Sequence, residues 1–125
     1  MSSRRAVLLV DHGSRREEAN RQLEELAGRV RRALPDREVA IAHLEIAPPS
    51  IAEAIESLAA RGASEIVIHP FFLAPGRHVL EDVPRLAREA GERLGGVAIR
   101  MGPPLGLHDR VVEAVVARIE EAERS

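Results

Sequence analysis

Ala6-Val7-Leu8-Leu9-Val10-Asp11-His12-Gly13-Ser14 decides the fold: five apolar residues in a row stop at an acid, a histidine, a glycine and a serine. A run so short and so uniformly apolar reads as a strand buried on both faces, and the polar residues after it read as a loop. Three more runs lie outward from it, at Val39 to Ile46, Ile66 to Ile68 and Val97 to Met101. Between them apolar residues return at helical spacing: Leu23, Leu26, Ala27, Val30 and Leu34; then Ile51, Ile55, Leu58 and Ala59; then Val83, Leu86, Ala87, Ala90 and Leu94. A last set follows at Val112, Val115, Val116 and Ile119. Strand and helix thus alternate four times. Parallel strands need crossover helices, so this order predicts a doubly wound α/β fold: a mostly parallel four-stranded sheet with helices on both faces. Flavodoxin-like winding, with strand order 2-1-3-4, is the expected arrangement.

Punctuation supports that division. Ser14-Arg-Arg-Glu17 and Ser50-Ile-Ala-Glu53 both have the spacing of a capping box, and Gly62 and Gly95 or Gly96 stand where helices end on glycine. These serines are read as caps and not as nucleophiles. Pro84 interrupts the third helical set, and proline suits a first turn. The helix is therefore expected to begin there, with Gly76 to Val83 as a loop carrying His78.

At 125 residues the chain has the size of one domain, residues 1–125. Its 18 basic and 20 acidic residues are interspersed and nearly cancel, so no basic stripe marks a nucleic-acid surface. Ala6 to Val10, which follows Met1 to Arg5, is too short for a signal-peptide core or a membrane span, which favours a cytoplasmic protein with no membrane partner. Cysteine is absent, which removes disulfides, thiolate zinc sites, iron–sulfur clusters and cysteine nucleophiles at once. Any metal must then sit on imidazole and carboxylate.

In open parallel sheets ligands bind beyond the carboxyl ends of the strands. Those ends carry Asp11 and His12, then His43 and Glu45, then His69 with His78 further on. Imidazole with carboxylate suits Co²⁺, Ni²⁺, Fe²⁺ or Zn²⁺, whereas Mg²⁺ and Ca²⁺ prefer oxygen alone. By spacing alone the residues say only that a metal site is possible, since no compact motif such as His-Glu-x-x-His is present.

Val10-Asp11-His12-Gly13-Ser14-Arg15, Leu44-Glu45 before Pro49-Ser50-Ile51, and Pro70-Phe71-Phe72-Leu73-Ala74-Pro75-Gly76-Arg77-His78-Val79 leading to Asp82-Val83-Pro84 together resemble the CbiX/SirB family of sirohydrochlorin chelatases. That resemblance implies insertion of a divalent metal, Co²⁺ foremost and Fe²⁺ or Ni²⁺ in relatives, into sirohydrochlorin or a similar tetrapyrrole, with no nucleotide. The metal is then a substrate. By position the family's metal-binding histidines fall on His12 and His78, and its glutamate on Glu45; the same three residues are the implied catalytic set. Longer relatives look like two such units joined, so a homodimer is expected. Asp11 and His69 depart from the family pattern, where glycine and an apolar residue are expected.

Loading a macrocycle displaces two pyrrole N–H protons, so the site needs ligands that hold the ion loosely and bases that accept protons. Imidazole serves both ends. Arg15, Arg16 and Arg77 are candidates for the carboxylates of the tetrapyrrole, and Phe71 or Phe72 for its ring face. In competing readings His12 is a satisfied structural histidine, and Glu45 forms a local polar pair with His43, two residues away on the same strand. His43, His69 and His108 stand outside the site. Two rival functions share this fold: a metal or tetrapyrrole carrier that does not catalyse insertion, and a phosphate-handling enzyme using His12 near a helix N-terminus. The latter lacks a glycine-rich loop.

Overall fold

The computed structural model describes residues 4–125; the part of the Met1 to Arg5 stretch that falls on residues 1–3 lies outside them. Eight elements follow in strict alternation: β1 (Arg5–Asp11), α1 (Glu17–Ala33), β2 (Glu38–His43), α2 (Ile51–Ala60), β3 (Glu65–Pro70), α3 (Arg77–Leu94), β4 (Ala98–Met101) and α4 (Asp109–Arg124). All strand pairs are parallel, in the order β2-β1-β3-β4 expected from the alternation. β1 lies between β2 and β3, which is why Ala6 to Val10 is apolar at every position: each of the five is buried.

The two faces are covered unequally. On one, α2 and α3 bury Ile51, Ile55, Leu58, Val83 and Ala87 over Leu8, Val10, Ile66 and Ile68. On the other, α1 alone seats Leu23 and Ala27 over Val7, Leu9 and Val39. α4 contributes no buried residue. Along β3 the consequence is an alternation in which Ile66, Ile68 and Pro70 are buried while Glu65, Val67 and His69 are only half-buried. Among the described residues no helix is long and apolar enough to cross a membrane.

Local rules hold at most boundaries and fail at two. Ser50 caps α2 as a full capping box: its Oγ accepts from the Glu53 amide at 3.1 Å, and the Glu53 carboxylate accepts from the Ser50 amide at 2.8 Å. Ser14 does not cap α1. The helix begins at Glu17 without a side-chain cap. Asn20 instead takes both backbone groups of Ser14, at 2.9 and 2.8 Å, and the Ser14 hydroxyl accepts from the Arg16 amide two residues on. The second failure is Pro84, which lies inside α3 and does not start it. Proline removes one helical hydrogen bond, the one that would reach Leu80. Leu80 is half-exposed, so water can serve its carbonyl, while Val83, Ala87 and Ala90 hold the helix down on the core. Near the other end of α3, a Cβ on Gly91 would lie 2.6 Å from Ile99 Cγ1, so glycine lets the helix approach β4.

Candidate metal centre

β1 and β2 end side by side, with Asp11 opposite His43 in the register, and their hydrogen bonding continues past the strands. Leu44 N–H donates to the Asp11 carbonyl at 2.8 Å, and Glu45 N–H donates to the His12 carbonyl at 3.1 Å. This zipper sets His12 against Glu45: Nε2 and Oε1 are 3.2 Å apart, with both side chains half-exposed. Gly13 makes the arrangement possible. Its φ is +95°, and a Cβ there would stand 2.0 Å from the Glu45 carbonyl oxygen.

Beneath that pair lies a second one. His43 is 2% exposed, and its Nδ1 is 2.5 Å from Asp11 Oδ1. A buried imidazole needs a partner, and Asp11, at the position where family members were expected to carry glycine, supplies it. His43 therefore partners Asp11 and not Glu45, because β2 ends at His43 and the alternation of side chains ends with it.

His78 sits in the first turn of α3 and not in a loop, because the helix starts at Arg77. Its Nε2 is 2.7 Å from Asp82 Oδ2, four residues along the same face. Asp82 also accepts from Arg85 at 3.2 Å, a contact that raises the Arg85 guanidinium above its ordinary range. His78 is largely exposed whereas Asp82 is mostly covered. The helical spacing was legible in the sequence, but reading Pro84 as the helix start hid it.

Of the three sequence-predicted residues, His12 and Glu45 pair with each other, while His78 pairs with Asp82, which the sequence reading did not single out. Among the described residues no group of three His, Asp or Glu side chains converges to hold a metal ion. Arg16 and Arg77 are exposed and paired with Glu18 and Glu81 at 3.3 and 3.1 Å. Phe71 is exposed whereas Phe72 packs against the core. His69 faces the α1 side of the sheet, where burial lowers its imidazole below the ordinary histidine range. His108 caps α4, its Nδ1 accepting from the Arg110 amide at 3.0 Å.

Residues 6–122 match the family model CbiX. The chain belongs to the CbiX family. Over 114 residues, 91% of the chain, it is 39% identical to a chloroplastic sirohydrochlorin ferrochelatase of Arabidopsis thaliana, of which it spans only 51%. With a sirohydrochlorin cobaltochelatase of Sulfurisphaera tokodaii it shares 34% identity over 95% of the chain and 94% of the relative. Its fold overlays the sirohydrochlorin chelatase SirB of Bacillus subtilis subspecies spizizenii, solved with cobalt, at a TM-score of 0.83 and 29% identity, covering 94% of this chain and 50% of that one. This CbiX-family chain therefore spans about half the length of some relatives and nearly all of others.

Proposed function

We propose that this chain is a sirohydrochlorin chelatase, inserting a divalent metal ion, Co²⁺ foremost, into the macrocycle without a nucleotide. The observation that carries the reading is the His12–Glu45 pair, half-exposed at the carboxyl edge of a parallel sheet and held by the β1–β2 zipper. Family membership and the names of its relatives supply the substrate class. In this reading His12, His78 and Glu45 are the metal ligands and the catalytic set.

A chelatase must release the ion it binds, so a closed four-ligand shell would be counterproductive. Two imidazoles and one carboxylate still leave coordination positions to water, which the pyrrole nitrogens then displace. Each ion inserted expels two protons from the ring. His12 Nε2 and the Glu45 carboxylate lie 3.2 Å apart and are the exposed bases that receive them. His78 acts from α3, and Asp82, a positioning residue, holds its ring through Nε2. Arg15, Arg16 and Arg77 meet the carboxylates of the tetrapyrrole. The working unit is a pair of copies, which gives a planar ring two edges to lie between.

Purified protein mixed with Co²⁺ and sirohydrochlorin should change the visible spectrum faster than the two reagents alone. A rate equal to the protein-free control would sink the reading, and stoichiometric binding without turnover would make the chain a carrier. A second reading has Fe²⁺ as the metal, favoured by the 39% identity to the Arabidopsis ferrochelatase. Running the assay with each ion under anaerobic conditions separates the two.

A further inference from the structure

Ile46, the residue after Glu45, holds a backbone conformation that isoleucine avoids. Its φ is +76°, and among the described residues it is the one non-glycine with positive φ. Ala47 N–H donates back to the Glu45 carbonyl at 2.9 Å, so residues 45–47 close a γ-turn of the rare, strained hand centred on Ile46. The surroundings enforce it. Leu44 and Glu45 are zipped to the end of β1, Gly13 lies against the Glu45 carbonyl, and His43 N–H donates to the Pro49 carbonyl at 2.9 Å, closing the loop behind the turn. All of this requires the turn, and none of it requires the side chain: glycine would make the same turn without strain.

Nor does packing within the chain account for isoleucine. The residue is 57% exposed and belongs to neither cluster of core side chains. A β-branched side chain that strains the backbone and stays wet stabilises nothing around it, and strain of this kind persists where function needs it. The neighbouring surface identifies the chemistry of the partner. Outside α4, the large apolar side chains left exposed among the described residues are Ile46, Phe71, Leu73, Leu80, Leu94 and Leu107. All but Leu94 lie beyond the carboxyl ends of the strands or in the first turn of α3. The loops after β3 and β4 are joined where Gly106 N–H donates to the Phe72 carbonyl at 3.0 Å, next to Leu107 and Leu73. β1 separates β2 from β3, so Ile46 stands on one side of the His12 loop and Leu73 on the other, on strands roughly 10 Å apart. Arg15, Arg16 and Arg77 are exposed on the same edge. Apolar side chains about two bases, with arginines beside them, suit a flat apolar ring that carries carboxylates on its rim.

We infer that the Ile46 side chain seats the face of the macrocycle beside the His12–Glu45 corner, and that the strained turn carries isoleucine for this contact. The inference deepens the chelatase reading and rests on it. A ring whose nitrogens reach an ion at His12 and Glu45 lies over the adjoining turn, which brings the side chain next to Glu45 within its footprint. The turn aims Glu45 through the backbone, whereas Ile46 adds an apolar contact. The two are separable, because Ile46→Gly keeps the first and removes the second.

The test is absorbance titration of the full chain with sirohydrochlorin in the absence of metal, beside titration with Co²⁺ in the absence of the ring. Ile46→Gly should bind sirohydrochlorin about 10-fold more weakly, the loss of one apolar contact. It should bind Co²⁺ as the wild type does and melt a few degrees higher, because the strain is gone. Ile46→Leu restores an apolar side chain and should recover most of the affinity for sirohydrochlorin. Equal affinity in wild type and Ile46→Gly overturns the inference and leaves a protein surface, such as a second copy, as what covers Ile46. A lower melting temperature for Ile46→Gly overturns it too, since the side chain would then pack within its own chain. So does weaker Co²⁺ binding, which would make Ile46 a support for Glu45. If Ile46→Gly weakens sirohydrochlorin binding but the wild type inserts no metal, this contact stands and the catalysis falls. A wild type that binds no sirohydrochlorin removes both.

Discussion

The two histidine–carboxylate pairs are built by opposite means. His12 and Glu45 are 33 residues apart in the chain and meet only because β1 and β2 run in register and stay zipped beyond their ends. His78 and Asp82 are four apart and meet because α3 exists. The first pair rests on tertiary structure: Gly13 against a carbonyl, and buried His43 held by Asp11. The second rests on one exposed helical turn led by Gly76, where an added Cβ would meet nothing within 4 Å. The proposed chelation, in which an ion is captured and then given up, would be served by one fixed partner and one that can be displaced cheaply. Backbone zippers supply the first, and helix first turns supply the second.

The largest expected effect sharpens that division. His12→Ala and His78→Ala should each lower the rate of metal insertion by on the order of 100-fold, as loss of a positioned base does. Because both side chains are substantially exposed, thermal stability should move by no more than about 0.5 kcal/mol. Initial rates and melting curves read both quantities. Full activity in either variant would break the pairing of roles.

Gly13→Ala and Gly76→Ala set the two supports against each other. At Gly13 the new Cβ overlaps the Glu45 carbonyl at φ +95°, so about 3 kcal/mol of stability should be lost in urea titrations, and activity with it. At Gly76 the backbone is already extended and the space open, so the same change should stay within about 0.5 kcal/mol. Equal losses would mean the two corners are not differently built. His43→Leu comes next, at about 2 kcal/mol, because it strands the Asp11 carboxylate. That carboxylate is partly hydrated, which keeps the cost below that of a fully buried charge.

How far the sequence foretold this is itself a matter of range. The alternation of apolar runs and helical spacing was sufficient for the strand order, because parallel crossover rules leave few alternatives. The strand-end rule brought His12, Glu45 and His78 forward only as candidates among other histidines and carboxylates, and the resemblance singled them out, since nothing local links Gly13 to the Glu45 carbonyl or Asp11 to His43. Ser14 was misread because a capping box is a local pattern and Asn20 outcompetes it from the next turn. Asp82 was hidden by treating Pro84 as a boundary, although one lost hydrogen bond is offset when Val83 and Ala87 bury the same helix. The setting of α4 was not legible either: its apolar stripe announces a covering helix, and only the fold shows that none of its residues is buried.

Asp82→Asn is the smallest change and tests the α3 pair on its own terms. The amide keeps the shape of the carboxylate and can still accept from His78 Nε2, but it carries no charge. If Asp82 serves only the helix, it takes part in exposed i,i+4 and i,i+3 contacts with His78 and Arg85, worth a few tenths of a kcal/mol in total, roughly, and insertion should proceed unchanged. If it holds the His78 ring for the metal, the charge matters. Partners of ligating histidines strengthen the ligand and fix its orientation, and losing one costs on the order of 10-fold in metal affinity or rate. The expected outcome is therefore a roughly 10-fold lower insertion rate at nearly constant melting temperature, with the loss partly recovered at higher metal concentration. An unchanged rate would reduce His78–Asp82 to a surface pair and leave the zipped corner of β1 and β2 to handle the ion alone.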